Sequence, residues 1–320
     1  DFLLGSGLTP QYANASNACD YAFLPDADYL ASEGDAKQMS LARIRQLSAH
    51  EVGHTIGLTH NFAASTYGRG SVMDYPAPMV DIINGKLDFS NAYAVGIGSY
   101  DKFAIKFGYS QFSSNEQGEL ERIIRDGVSA GMLFISDLDT RPPSAAHPLS
   151  NLWDNGSDPV EMLRYQMKVR RIGLDQFGLN NIPIGTPLSE LENKFLPLYL
   201  HHRYQLTAAT KTIGGVYYSY AVKTESGANP VPINEIVPAA KQRDALQAVL
   251  ETIKPEELAI SENILKIIPP LAYGYGSERS ERFSKRTNPV FDPIGVAEIA
   301  ADFAISGLLE PNRAARLINF

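Results

Sequence analysis

The stretch HEVGHTIGLTH, His50 to His60, holds three of the chain's six histidines within eleven residues. It ends a run, LARIRQLSAHEVGHTIG, that has no proline and good helix formers, with Ser40 as an N-cap before it. On a helix, His50 and His54 stand one turn apart on one face. Both imidazoles can then reach one ion, and Glu51 can reach a water on that ion. Two imidazoles leave a metal short of ligands. Gly57 allows a sharp end to the helix, because glycine accepts left-handed backbone, and His60 can return from the following loop as the third ligand. Imidazole suits zinc, and a catalytic zinc takes three protein ligands while keeping one position open. A lone helical histidine is usually an ordinary surface or core residue. The full set of three His, one Glu and one Gly is far more demanding.

Of the 320 residues, 44% are hydrophobic and 20% charged, and the net charge is -8. This reads as a soluble globular chain with a sizeable core, in one large domain or two modest ones. The negative balance and the lack of basic runs argue against nucleic acid or a membrane surface as partner. No stretch has the length of a membrane span. A single Cys19 excludes an internal disulfide and a Cys-based metal site. The opening, DFLLGSGLTP, has neither initiator Met nor signal peptide, and reads as part of a longer precursor.

Along the chain, the segment to about Lys37 is irregular. Thr59 to about Ser99 reads as loop, YDKFAIKFGY as a short helix, GMLFISDLDT as strand-like at its start, and RPPSAAHP as an extended connection. After Asp154 the pattern becomes helical. SDPVEMLRYQMKVRRIGLDQFG carries a cap, Pro159 in the first turn and Val160, Leu163 and Met167 at helical spacing. TPLSELENKFLPLYLHHRYQLTAATKT begins the same way, with Pro197 expected to kink it. GGVYYSYAV is the best strand in this half, and helices are expected around 235–253, 255–268 and 293–307. The expectation is an α+β, mainly α chain, with a catalytic portion over residues 1–150 and a helical portion over 151–320.

Downstream of the histidines stands GSVMDYP, Gly70 to Pro76, which places Met73 in a tight turn. Alone, such a methionine is a core filler. Together, the two motifs resemble the metzincin clan of zinc peptidases. The resemblance implies that His50, His54 and His60 bind one catalytic zinc, that Glu51 is the general base, and that Met73 floors the site. It also matches Tyr75 to a tyrosine that touches the zinc or the reacting oxyanion in some members; the plainer reading is a half-buried packing residue. With YDKFAIKFGY and RPPSAAHPLSNLWDNGSDP added, the chain looks most like the bacterial Met-zincins. These are large zinc-dependent metallopeptidases, which implies a peptide or protein substrate, endopeptidase action, and a periplasmic or extracellular setting.

Two departures stand out. Asn61 follows the third His where better-known subfamilies carry other residues, so their substrate rules do not transfer. Metzincins also place a twisted sheet before the active-site helix, whose edge strand holds the peptide. Here few residues before His50 look like strand, FLLGS being the candidate tail, so a truncated sheet and an incomplete cleft are expected. The rival readings are a non-catalytic, zinc-stabilised binding module and a zinc hydrolase of non-peptide amides. Weaker signals are His201 and His202, which point about 100° apart on a helix and read as surface or interface residues. His147 reads as loop packing. Asp137 and Asp139 lack EF-hand spacing for calcium, and GYGSERSERF lacks a phosphate-loop lysine.

Overall fold

A computed structural model describes residues 33–223, 232–275 and 282–320. FLLGS, Cys19 and most of GYGSERSERF lie outside the described residues. The helix carrying His50 and His54, α1 (Glu33–Thr55), runs past Ser40 rather than starting there. The preceding EGDAKQM has no proline, and Ala, Lys, Gln and Met all favour helix, so Ser40 falls in its interior. The other end stops as expected. Gly57 has φ +87°. Its N–H bonds to the His54 carbonyl, and Leu58 N–H bonds to Gly53, both at 3.0 Å. These paired bonds satisfy the last carbonyls of the helix and reverse the chain.

The supposed loop after His60 contains a hairpin, β1 (Asp81–Ile83) and β2 (Lys86–Asp88), with Ile82 opposite Leu87. Asn84 and Gly85 both have positive φ, the geometry of a two-residue hairpin turn. The NG pair is a hairpin signal that the loop reading passed over, because the flanking strands are too short to show alternation. Helix α2 (Ser99–Tyr109) matches YDKFAIKFGY, and α3 (Glu116–Ser129) follows it. The strand-like start of GMLFISDLDT forms no ladder. Asn61 takes the place of a partner strand: its amide donates to the Leu133 carbonyl at 3.0 Å and its Oδ1 accepts Ile135 N–H at 3.3 Å. RPPSAAHP is also not simply extended, since Ala145 N–H closes a turn on Pro142 at 2.9 Å.

The second half is helical. Helix α4 (Pro159–Gln176) starts as its sequence indicates, with the Asp158 carboxylate accepting the N–H groups of Val160 and Glu161. Pro197 lies within α5 (Leu191–Tyr199), but the chain breaks after Tyr199 and resumes as α6 (Arg203–Thr210). The short strand β3 (Val216–Tyr218) pairs antiparallel with β4 (Asn234–Ile236), which occupies the expected start of the next helix. Helix α7 (Ala239–Thr252) follows. The helix expected over 255–268 is two single turns, α8 (Pro255–Leu258) and α9 (Glu262–Leu265). Helix α10 (Pro293–Leu308) is as expected, and α11 (Pro311–Asn319) closes the chain.

The fold is therefore mainly helical, with two small hairpins among the described residues. Val160, Leu163, Leu206, Ala209, Ala245, Val249 and Ala304 join α4, α6, α7 and α10 in one core. A second core gathers α5 with α9 and α10 around Phe195. A third cluster brings Met39 of α1 against Val169 of α4 and Phe89 of the hairpin region, so the second half braces the histidine helix. No described helix is long and apolar enough to cross a membrane.

Gly57 isolates one contribution cleanly, because a Cβ there would meet nothing within 4 Å. Gly57→Ala should therefore cost only the left-handed backbone penalty, about 1–2 kcal/mol. Urea unfolding measures it; an unchanged midpoint would show that the turn is not held in this conformation.

Candidate metal centre

The three histidines meet. Ring centroids lie 4.6 Å apart for His50 and His54, 4.8 Å for His54 and His60, and 5.3 Å for His50 and His60. In each ring the outer nitrogen is fixed by an oxygen acceptor. His50 Nδ1 bonds the Val72 carbonyl at 2.6 Å, His54 Nδ1 the Leu58 carbonyl at 2.9 Å, and His60 Nδ1 the Asp137 carboxylate at 3.0 Å. A carbonyl or carboxylate can only accept, so each Nδ1 carries the hydrogen and each Nε2 presents a lone pair.

Those lone pairs converge. The Nε2 atoms of His50 and His54 are 3.0 Å apart, while His60 Nε2 is buried without a hydrogen-bond partner. One ligand atom from each of the three residues lies within 4.8 Å of the others. Lone pairs facing one another across such a gap repel unless a cation stands among them. Zinc–imidazole bonds of about 2.0–2.1 Å fit the spacing. Burial, aided by the neighbouring His54 and His60, pushes His50 down to about 4 despite its bond to Val72, so it is neutral, as a ligand must be.

The remaining expected residues gather at the same place. Glu51 is half-buried, and its Oε1 is buried with no hydrogen-bond partner. Met73 is fully buried and its sulfur presses on α1: a Cβ at Gly53 would stand 2.3 Å from that sulfur. Tyr75 is buried, with its ring 4.9 Å from His60, 5.5 Å from His50 and 5.0 Å from Trp153. Arg141 Nη2 donates to the Tyr75 hydroxyl at 3.3 Å.

The turn bearing Met73 is clamped by a fully buried carboxylate. Asp101, in the first turn of α2, accepts Ser71 Oγ–H at 2.5 Å, Val72 N–H at 2.9 Å and Gly98 N–H at 2.6 Å. Asn61 N–H bonds the Met73 carbonyl at 3.1 Å, tying the third-histidine loop to the same turn. The Val72 carbonyl that orients His50 also accepts Gln46 Nε2–H at 3.1 Å, and Arg43 in turn donates to Gln46.

Sequence reasoning missed these supporting groups. Gly53 left a trace, since a glycine inside a helix costs about 1 kcal/mol and calls for a reason. Asp137 and Asp101 left none, because the contacts that define them span 77 and 30 positions. Asp137 and Asp139 do not converge on an ion. Asp137 takes His60 and, at 2.5 Å, Arg141 Nε; Asp139 accepts the hydroxyls of Tyr218 and Tyr220 at 3.0 and 2.6 Å. His147 is buried against Tyr218, outside the histidine group. His201 and His202 are not surface residues: His202 is buried and His201 bonds Gln166 Oε1 at 2.6 Å, because the break between α5 and α6 turns inward.

Asp137 is half-exposed, and burial alone would raise its pKa; the hydrogen bonds from His60 and Arg141 hold it below the usual carboxylate range instead. It is thus an anion that orients His60 and strengthens it as a donor. Asp137→Asn should weaken zinc binding about 10–100-fold, read by competition with a chromogenic chelator. An affinity within about twofold of wild type, below roughly 0.5 kcal/mol, would remove Asp137 from the centre.

A family model described as Met-zincin matches residues 32–320. No curated protein and no solved structure gives a significant match. The family match takes in α1, the histidines, the Met73 turn and the whole helical second half. The chain belongs to the Met-zincin family.

Proposed function

We propose that this chain is a zinc-dependent metallopeptidase that cleaves peptide bonds internally. The observation that carries the reading is the convergence of three Nε2 lone pairs, each locked through its Nδ1, beside the unpartnered Oε1 of Glu51. A binding module stabilised by zinc would close its metal with a fourth protein ligand. Among the described residues the donor group has three members, which supports an open position.

When bound, zinc supplies Lewis acidity that acidifies water and polarises a carbonyl. The residues of the chain divide the remaining work. His50, His54 and His60 hold the ion through Nε2. Glu51 Oε1 takes a proton from the attacking water and returns it to the leaving amine. Its lack of other partners favours that role, since a carboxylate engaged elsewhere is a weaker acceptor. Tyr75 donates its hydroxyl hydrogen to the carbonyl oxygen as negative charge develops there. The Arg141 N–H on the Tyr75 oxygen polarises that hydroxyl and makes it a better donor. On this reading, residues 1–150 form the catalytic portion, and residues 151–320 brace it through contacts such as Trp153 N–H on the Tyr75 carbonyl at 2.8 Å.

Two substitutions test the roles. Glu51→Gln should retain zinc and fold while hydrolysis of a protein substrate with blocked termini disappears, because an amide cannot take the proton. Turnover at the wild-type rate would remove Glu51 from the mechanism. Tyr75→Phe keeps the ring packed on Trp153 and removes the hydroxyl, both the donor to the oxyanion and the acceptor of Arg141, so kcat should fall about 10²–10³-fold with KM little changed. A kcat within about threefold of wild type, below roughly 1 kcal/mol, would return Tyr75 to a packing role.

A further inference from the structure

The turn that carries Met73 has a second polar side. Behind it opens a cavity of about 750 Å³ whose lining includes Ser65, Ser71, Asp74, Asn91, Asp154 and Asn155, and none of the three histidines. Two of these residues are carboxylates buried in the interior, Asp74 at 4% exposure and Asp154 at 3%. They meet at Ser65. Its hydroxyl donates to Asp154 Oδ2 at 3.2 Å, and its backbone N–H bonds Asp74. Asp74 Oδ1 also accepts the N–H of Tyr75 at 2.7 Å. Asp154 Oδ1 is buried and has no hydrogen-bond partner.

This arrangement calls for a positive charge. Burial and the neighbouring Asp154 both push Asp74 well above the normal carboxylate range. One compensating group is near: Lys211 attracts Asp154, and two of its three ammonium hydrogens go to the Thr140 and Ser150 carbonyls at 2.9 and 2.8 Å. Arg69, also on the cavity wall, donates to the Asn91 carbonyl at 2.6 Å. Without a cation the two acids must hold a proton; once both are ionised, two carboxylates set against one ammonium leave a net negative charge beside an oxygen with no hydrogen-bond partner. A buried acceptor without a partner costs more than any exposed one, and a bare ion satisfies it without a donor hydrogen.

The donors are all oxygen and two carry charge, which selects a hard cation over zinc. We propose that Asp74, Asp154 and Ser65 form a calcium site behind the Met73 turn, separate from the histidine centre, with water in the cavity completing the coordination. Calcium tolerates six to eight oxygens in irregular arrangements, which suits a partly protein-built shell; magnesium demands a stricter octahedron. Because Asp74 directly follows Met73, the ion ties the floor of the histidine centre to the segment that begins the helical half.

The chain offers its own reporter, since its single tryptophan, Trp153, is the neighbour of Asp154. Terbium replaces calcium at oxygen sites and emits when a nearby tryptophan is excited. The experiment titrates terbium into the zinc-loaded chain, then adds calcium or magnesium in competition. The expected result is saturable emission, displaced by calcium at lower concentration than by magnesium. Asp154→Asn should weaken terbium binding by on the order of tenfold or more with zinc content unchanged, and Ser65→Ala should weaken it less. Calcium should also raise the melting temperature of wild type and not of Asp154→Asn. Absence of saturable, calcium-displaceable emission from the folded wild type would overturn the proposal, and would leave a proton shared between the two acids as the neutralising charge. Equal emission from Asp154→Asn would overturn it as well. Should that variant not fold, the wild-type titration and Ser65→Ala decide.

Discussion

Neutral imidazoles do not aim their lone pairs at one another unless something fixes each ring, and the architecture around His50, His54 and His60 follows from that constraint. The helix supplies only the spacing of the first two. Orientation comes from three acceptors on three other segments: the Leu58 carbonyl just past the Gly57 turn, the Val72 carbonyl before Met73, and the Asp137 carboxylate far along the chain. Each acceptor is itself held. Gly57 reverses the chain so that Leu58 faces back, Asp101 grips the backbone of Val72, and Arg141 grips Asp137.

The same constraint accounts for an unusual helix interior. The inward face of α1 carries Arg43, Gln46 and His50, all buried, where a core helix would normally present aliphatic residues. Their polar groups are used in series, Arg43 on Gln46 and Gln46 on the Val72 carbonyl. Arg43 also lies over the rings of Tyr93 and Trp153, at 5.8 and 5.7 Å. A network of this kind fixes one arrangement, because each broken link strands a buried polar group. The helical half joins it directly: Asn151 N–H bonds the Phe62 carbonyl at 3.0 Å, and the Tyr218 and Tyr220 hydroxyls hold Asp139, two residues from Asp137.

What the sequence made legible follows the range of the interactions. His50, Glu51, His54, Gly57 and His60 could be read because helix periodicity and one glycine determine their relation. Helix α4 was legible through Asp158 and Pro159, which sit within a few residues of what they cap. Asp137 looked like a loose acidic residue, and its contact with His60 spans 77 positions. Asn61 appeared only as a departure from relatives. The structure gives it a purpose, since its side chain pairs with Leu133 and Ile135 as a strand would. Ser40 misled because a good local cap carries little weight where the residues before it also favour helix, and Pro197 misled because the break lies at the inward turn of His201 and His202.

The central claim is that three imidazoles, and no other protein group, hold one zinc. X-ray absorption at the zinc edge of the metal-loaded chain tests it most directly. The account predicts three imidazole nitrogens and one further oxygen from solvent at about 2.0–2.2 Å, with one imidazole lost in His60→Ala. A fourth protein ligand in the shell, or a spectrum unchanged by His60→Ala, would contradict it.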